Sequence, residues 1–275
     1  MGLVARPGSI ESGDVPRFII FGGNFVSDKL RKIITALLIV VIIVCIYFIG
    51  KDLMMSKKEA DDMKYVDNII AETLNDDDEE KFTQSSFLAL KEANSDLIGY
   101  LIFDSGLIKE PIVRCSNNDY YLYHGFSGEY TTLGTAFMDY RASLDNTNFT
   151  IYGHNNSYDY SVKFSKLNDL ILDQSTYEEN ARFSIYTENE IRDYVICYMY
   201  YINVDEFQNY DFARTEIAES EWRDFISFAE RKNRITPIDG GIEYGNNFVT
   251  LQTCKRWDSE VKVIVVAREV MRRSY

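Results

Sequence analysis

The chain has 275 residues, 46% hydrophobic and 14% aromatic, which supports a packed core of ordinary size and leaves room for an anchor and a stalk. Its formal net charge is −14; the first fifty residues carry a net of +2, so the remainder carries −16. A domain of that charge repels nucleic acid, and no basic stripe or Gly-rich phosphate loop appears, so the composition argues against nucleic-acid binding and nucleotide chemistry.

Residues 1–28 mix Gly, Ser and Pro, and no function is assigned to them. Arg6 stands where a myristoylation signal wants Ser or Thr. From Ile33 to Ile49 the chain is apolar apart from Thr35, Cys45 and Tyr47. At about 1.5 Å per residue this stretch spans roughly 26 Å, close to the hydrocarbon core of a bilayer. A signal-peptide core is shorter and needs a small-x-small cleavage site, which Tyr47-Phe-Ile-Gly-Lys51 does not offer. The expectation is an uncleaved transmembrane anchor over 33–50, with 1–32 cytoplasmic. Four basic residues lie on each side between Arg17 and Lys64, but Lys29, Arg31 and Lys32 crowd the N-terminal flank and place the N-terminus inside.

Residues 51–95 read as a helical stalk. Met63, Val66, Ile69, Ile70 and Leu74 form one apolar stripe, and Phe82 to Ala93 reads as a second short helix. The acidic run Asn75–Glu80 between them lacks the glycine turn of a calcium loop and reads as a solvated boundary. Neither a metal nor a cofactor is expected.

Beyond Asp96 the apolar pattern shortens to strands at Leu97–Phe103, Ile112–Cys115, Ala136–Asp139, Phe149–Tyr152, Arg182–Thr187, Asp193–Val204, Phe248–Thr253 and Val261–Ala267. So many short strands predict a mainly β fold, a closed or nearly closed barrel over 96–275. One helix interrupts them, Thr215 to Arg231, with Ile217, Trp222, Phe225, Ile226 and Ala229 on its apolar face.

Two strand ends carry the candidate chemistry. In Phe248–Cys254, Val249 and Leu251 alternate inward while Cys254 shares a more polar face with Thr250 and Gln252. In Asn148–His154, Phe149 and Ile151 alternate inward and His154 ends the other face. A thiol nucleophile needs a partner that exchanges a proton near neutral pH, and imidazole is suited to that. Cys45 falls in the apolar stretch, so an odd number of cysteines, Cys115, Cys197 and Cys254, remains outside and at least one thiol is unpaired. A Cys115–Cys197 disulfide is one pairing; strand packing of Cys197 is the other reading. The second histidine, His124, sits in the aromatic cluster Tyr120-Tyr-Leu-Tyr-His124 and reads as structural.

The segments Gly134-Thr-Ala-Phe-Met-Asp-Tyr-Arg141, Tyr152-Gly-His154 and Thr250-Leu-Gln-Thr-Cys254 resemble motifs of the sortases, cell-wall transpeptidases of Gram-positive bacteria, and class B most nearly. The likeness runs from about Asp96 to Ala267. It implies a sortase-like closed β-barrel of about eight strands with N-terminal helices, and a long helix in the loop before the cysteine strand that walls the substrate groove. It further implies that Cys254 attacks a threonine carbonyl in the sorting-signal peptide of a secreted surface protein. His154 then protonates the departing amine, leaving a thioester. An amine of a peptidoglycan precursor or another protein resolves it, with water as competitor. The domain would face outward.

The family's third catalytic residue is an arginine at the start of the strand after the cysteine. Aligning Val263–Ala267 with that strand places Lys262 there, which keeps the charge and loses the two-pronged donor. Arg256 is the fallback; Arg268 lies about 20 Å along the strand. Two other readings stay open: a membrane-tethered thiol peptidase with papain-like chemistry, against which the His-before-Cys order counts, and a catalytically silent sortase-like binding protein, for which Lys262 is the support.

Overall fold

A computed structural model describes residues 28–74, 82–156, 164–208, 211 and 213–275. The first 27 residues and the whole acidic run, 75–80, lie outside the described residues. The chain divides into two compact units, Met1–Lys51 and Asp52–Tyr275. The described helices are α1 (Asp28–Thr73), α2 (Gln84–Ala93), α3 (Leu167–Leu170), α4 (Gln174–Glu179) and α5 (Glu219–Lys232). The part of α1 that falls in the first unit exposes its apolar side chains on every face, Leu37, Ile42 and Phe48 among them, and it is long and apolar enough to cross a membrane.

Among its described residues the second unit has eight strands: β1 (Leu97–Phe103), β2 (Lys109–Val113), β3 (Ala136–Met138), β4 (Asn148–Tyr152), β5 (Arg182–Tyr186), β6 (Ile191–Asn203), β7 (Phe248–Lys255) and β8 (Asp258–Arg273). They close into a barrel in the order β1-β2-β3-β4-β7-β8-β6-β5. The β2/β3 and β4/β7 pairs are parallel and the others antiparallel. The expected barrel is therefore present, with β2 beginning earlier and β8 running farther, to Arg273, than the apolar pattern marked.

Alternation along the strands fills the barrel with Leu101, Phe103, Phe149, Ile151, Val249, Leu251, Val263 and Val265. The outward side chains are covered on two sides. Under α5, Phe225 and Ala229 pack with Phe248, Ile264 and Val266. Under α2 and the part of α1 beyond Asp52, Val66, Phe87 and Leu90 pack with Leu97, Tyr100, Val113 and Phe137, and Ile69 and Ile70 join from the expected stripe. Tyr152 borders both clusters.

One expectation is corrected, two short helices are added, and of the two cysteine readings the strand packing of Cys197 holds. The α5 helix starts at Glu219 rather than Thr215. Asn148 N donates to Thr215 O at 3.1 Å, and the Glu216 carboxylate accepts from Thr147 Oγ1 at 2.8 Å and Asn146 Nδ2 at 3.1 Å, so this stretch is held against the start of β4. Ile217 is buried outside the helix. The two short helices α3 and α4 escaped the sequence pattern because neither is long enough to show periodicity. Finally, all four cysteines are free. Cys197 is buried under α5, where desolvation pushes its thiol pKa up, whereas Cys115 packs with the cluster under α1 and α2.

One buried carboxylate fastens α1 to the barrel. Asp62 accepts from Phe126 N and Ser127 N, both at 2.9 Å, and from Ser127 Oγ at 2.6 Å. The chain passes so near that a Cβ on Gly125 would lie 2.5 Å from Asp62 Cγ. Replacing Asp62 by Ala leaves two backbone donors without their acceptor, at an expected cost of about 2–3 kcal/mol. Urea unfolding of a fragment beginning at Asp52 measures it, and a loss below about 0.5 kcal/mol would show that the carboxylate does not fasten the loop.

Candidate active site

The parallel β4/β7 pair sets Phe149 beside Val249, Ile151 beside Leu251 and Tyr152 beside Gln252. Gly153 N continues the ladder to Gln252 O at 3.0 Å. Because the strands run the same way, the residues that follow, His154 and Cys254, leave from the same end of the barrel. Both are half-buried, and both line one cleft of about 400 Å³. Gly153 between Tyr152 and His154 has no room for a side chain, since a Cβ would lie 2.5 Å from Phe164 Cγ.

The hairpin from β7 to β8 turns at Arg256 and Trp257, the latter at φ +64°, and brings Lys262 opposite Cys254. Lys262 Nζ donates to Cys254 Sγ at 3.1 Å and to Ser259 O at 2.6 Å. Lys262 lines the same cleft; Arg256 does not. Arg256 instead pairs with Asp169 at 2.8 Å, and its backbone N–H donates to Asn168 Oδ1 at 2.8 Å. Arg268 sits opposite Phe248, at the other end of the hairpin, donating to Asp239 O at 2.9 Å.

His154 is oriented by backbone. Its Nε2 lies 2.9 Å from Leu122 O, and a carbonyl only accepts, so Nε2 carries the proton and Nδ1 is the basic nitrogen of the neutral ring. Leu122 belongs to a 3₁₀ turn, Tyr120–Leu122, whose Tyr121 O accepts from Thr135 N at 3.0 Å. Gly134, at φ +55°, lets the chain pass there; a Cβ would sit 2.0 Å from Tyr121 O. His124 donates through Nδ1 to Tyr120 O at 2.8 Å and stacks on the Tyr120 ring at 4.0 Å, a local packing arrangement.

The family model for the Sortase domain matches residues 112–270. The chain belongs to the sortase family. It is 26% identical over 248 residues to sortase B of Staphylococcus aureus, covering 87% of this chain and 96% of that protein. A stretch of 68 residues is 38% identical to sortase B of Listeria monocytogenes, 24% of this chain and 28% of that protein. Among solved structures, sortase B of Bacillus anthracis is 25% identical with a TM-score of 0.65, covering 79% of this chain and 99% of that one. A Staphylococcus aureus sortase B–substrate complex is 22% identical with a TM-score of 0.66, covering 79% and 98%. The sortase is class B-like, of the cysteine transpeptidase type.

One residue of this sortase that serves the site gave no signal in the sequence. Asn168, on α3, donates through Nδ2 to Cys254 O at 3.3 Å and so grips the backbone on both sides of the irregularity between Cys254 and Lys255. Thr250, expected on an open polar face, is buried and donates to Asn148 Oδ1 at 3.0 Å. The aromatic side chains of α5 cover that end of β7, where Phe225 and Phe248 rings lie 5.7 Å apart, so the face opens only at Gln252 and Cys254. Among the described residues, none of α5 lines the cleft, and the implied groove-wall role finds no contact here.

Asp139 ties two of the three motifs together, Gly134–Arg141 and Tyr152–His154. Its buried carboxylate accepts from Tyr152 Oη at 2.8 Å, from Arg141 Nε and a terminal guanidinium nitrogen at 2.9 and 2.8 Å, and from Asn118 Nδ2 at 3.3 Å. Burial pushes its pKa up, but the hydrogen bonds from Arg141 and Tyr152 outweigh it and hold the group at about 2, below the usual 3.8. Burial, and next the Asp139 charge, push the Tyr152 phenol up, so it stays a donor. A lowered carboxylate pKa adds stability above the ordinary value, and that stability is lost as pH falls through the folded one. Wild type should therefore exceed Asp139→Asn by on the order of 2 kcal/mol above pH ~4, the gap closing as pH falls toward ~2. Unfolding free energies measured across that range check it; a gap that does not narrow would contradict the assignment.

Proposed function

We propose that this sortase is a membrane-anchored enzyme in which Cys254 is the nucleophile, His154 the acid and base, and Lys262 the third catalytic group. The contact between Lys262 Nζ and Cys254 Sγ, 3.1 Å, is the observation that carries the reading. It favours Lys262 over Arg256, whose guanidinium is engaged with Asp169. An ammonium at the sulfur can pair with a thiolate, the reactive form, and afterwards with the developing oxyanion.

Cys254 attacks the carbonyl of a threonine in a sorting-signal peptide. The tetrahedral intermediate collapses, His154 gives its proton to the departing amine, and a thioester on Cys254 remains. An amine, from peptidoglycan or from another surface protein, attacks the thioester while His154 takes its proton. Residues 33–50 serve as the anchor, 1–32 lie in the cytoplasm, 51–95 form the stalk and N-terminal helices, and 96–275 form the catalytic domain outside the cell. The apolar segment within α1 and the crowding of Lys29, Arg31 and Lys32 on its N-terminal side support that topology.

Fluorogenic sorting peptides, offered with and without an amine acceptor, test the proposal. Wild type should cleave one motif and divert the product to an amide when the amine is present. Cys254→Ala should abolish turnover, and His154→Ala and Lys262→Ala should each lower kcat/KM by about 10²-fold or more. A protein that cleaves no peptide while its Cys254 alkylates readily would sink the enzymatic reading and leave a binding role.

A further inference from the structure

We propose that Lys262 is itself an acyl acceptor: a group carried on Cys254 moves onto the Lys262 amine when no external amine intercepts it, leaving the protein amide-linked at that side chain. The inference rests on the reading of Cys254 as the acyl carrier.

The two side chains face each other across the β7/β8 ladder, and Ser259 O holds the amine 3.1 Å from the sulfur. In a thioester the acyl carbon is the next atom beyond Sγ, so an amine that touches the sulfur is within reach of that carbon, near the separation of a near-attack geometry. An amine so placed reaches the acyl carbon without an encounter from solution, and a dissolved amine in excess competes with it. A guanidinium at this position would keep its proton and add no such chemistry; a primary amine can release its proton and become a nucleophile. Lys255, the neighbour of Cys254 in sequence, is placed differently, with Nζ 3.8 Å from Asp258 Oδ2 and 5.3 Å from the Tyr201 ring centre. It provides an internal control for proximity along the chain.

The transfer balances with no further reactant than water. The Lys262 ammonium first gives one proton to water; the Nζ lone pair then attacks the acyl carbon, the C–N bond forms, the C–S bond breaks, and the second proton lost from nitrogen ends on the Cys254 sulfur. The thiol is regenerated and the charge of Lys262 is lost.

The test loads Cys254 chemically, without a sorting peptide. The full chain in detergent micelles is incubated with the phenyl thioester of N-acetylglycine, which acylates the thiol by exchange and releases thiophenol. Intact mass before and after hydroxylamine separates labile thioester from stable amide, and peptide mapping locates the amide. The expected result is a hydroxylamine-resistant adduct on Lys262, at least about tenfold above that in Cys254→Ala, absent from Lys262→Arg, and suppressed by excess methylamine. An adduct confined to Cys254, loss to water alone, no labelling of Lys262, or equal labelling in Cys254→Ala overturns the proposal. Because loading bypasses peptide recognition, failure of the transfer and failure to cleave sorting peptides are read in separate experiments.

Discussion

The parallel pairing of β4 and β7 is the constraint on which the site depends. Two parallel strands present their C-terminal ends at one edge, so residues a hundred positions apart in sequence arrive together without any loop having to reach. The register matters as much as the direction. With Tyr152 beside Gln252, the next outward residues are His154 and Cys254; a slip by one residue would turn one of them into the barrel interior. The ladder continues one bond past the last paired residues, through Gly153, and that bond requires the chain to press against Phe164 where only hydrogen fits.

The cleft exists because the helices leave part of the outer face bare. An apolar strand face must be covered, and α5 covers it beyond Phe248 while α1 and α2 cover it beyond Phe137. Between them lies a strip of four strands, where Phe137, Tyr152, Gln252 and Lys262 line the cleft. The loop after β2 closes one side, and its conformation is held from two directions. Gly134 passes beneath Tyr121 O, and Asp62 on α1 grips Phe126 and Ser127. The same loop supplies the carbonyl that fixes the tautomer of His154. Asp62, on the part of α1 beyond Asp52, thus belongs to the support of the His154 imidazole.

The barrel was legible in the sequence because short apolar runs punctuated by turn residues marked all eight strands. Cys254 and His154 were legible as strand-ending polar residues of the right chemistry, and their motifs identified the family. What was not legible is long-range polar satisfaction. Asp62 is one of several acidic residues on a charged helix, and Asn168 lies in a one-turn helix too short to register; each matters because of hydrogen-bond partners 64 and 86 or more positions away, Phe126 and the Cys254–Arg256 backbone. The start of α5 failed for a related reason, since Glu216 satisfies Asn146 and Thr147 rather than the first turn of a helix. Local propensity carries no record of such partners.

A lysine at position 262 changes what the site can do with the same charge. An arginine would offer a planar fork to an oxyanion and remain a permanent cation. The lysine offers one rotatable head, and its place is set by two partners, Cys254 Sγ on one side and Ser259 O on the other. Positioning is therefore supplied by the hairpin instead of by the side chain's own planarity. The tight turn at Arg256 and Trp257 has that consequence: it pairs Lys262 with Cys254, while Ser259 O on the same strand holds the amine there. The hairpin's geometry and the identity of the cation are then one feature, because a compact ammonium can be shared between a sulfur and a carbonyl where a guanidinium fork would have to choose its plane.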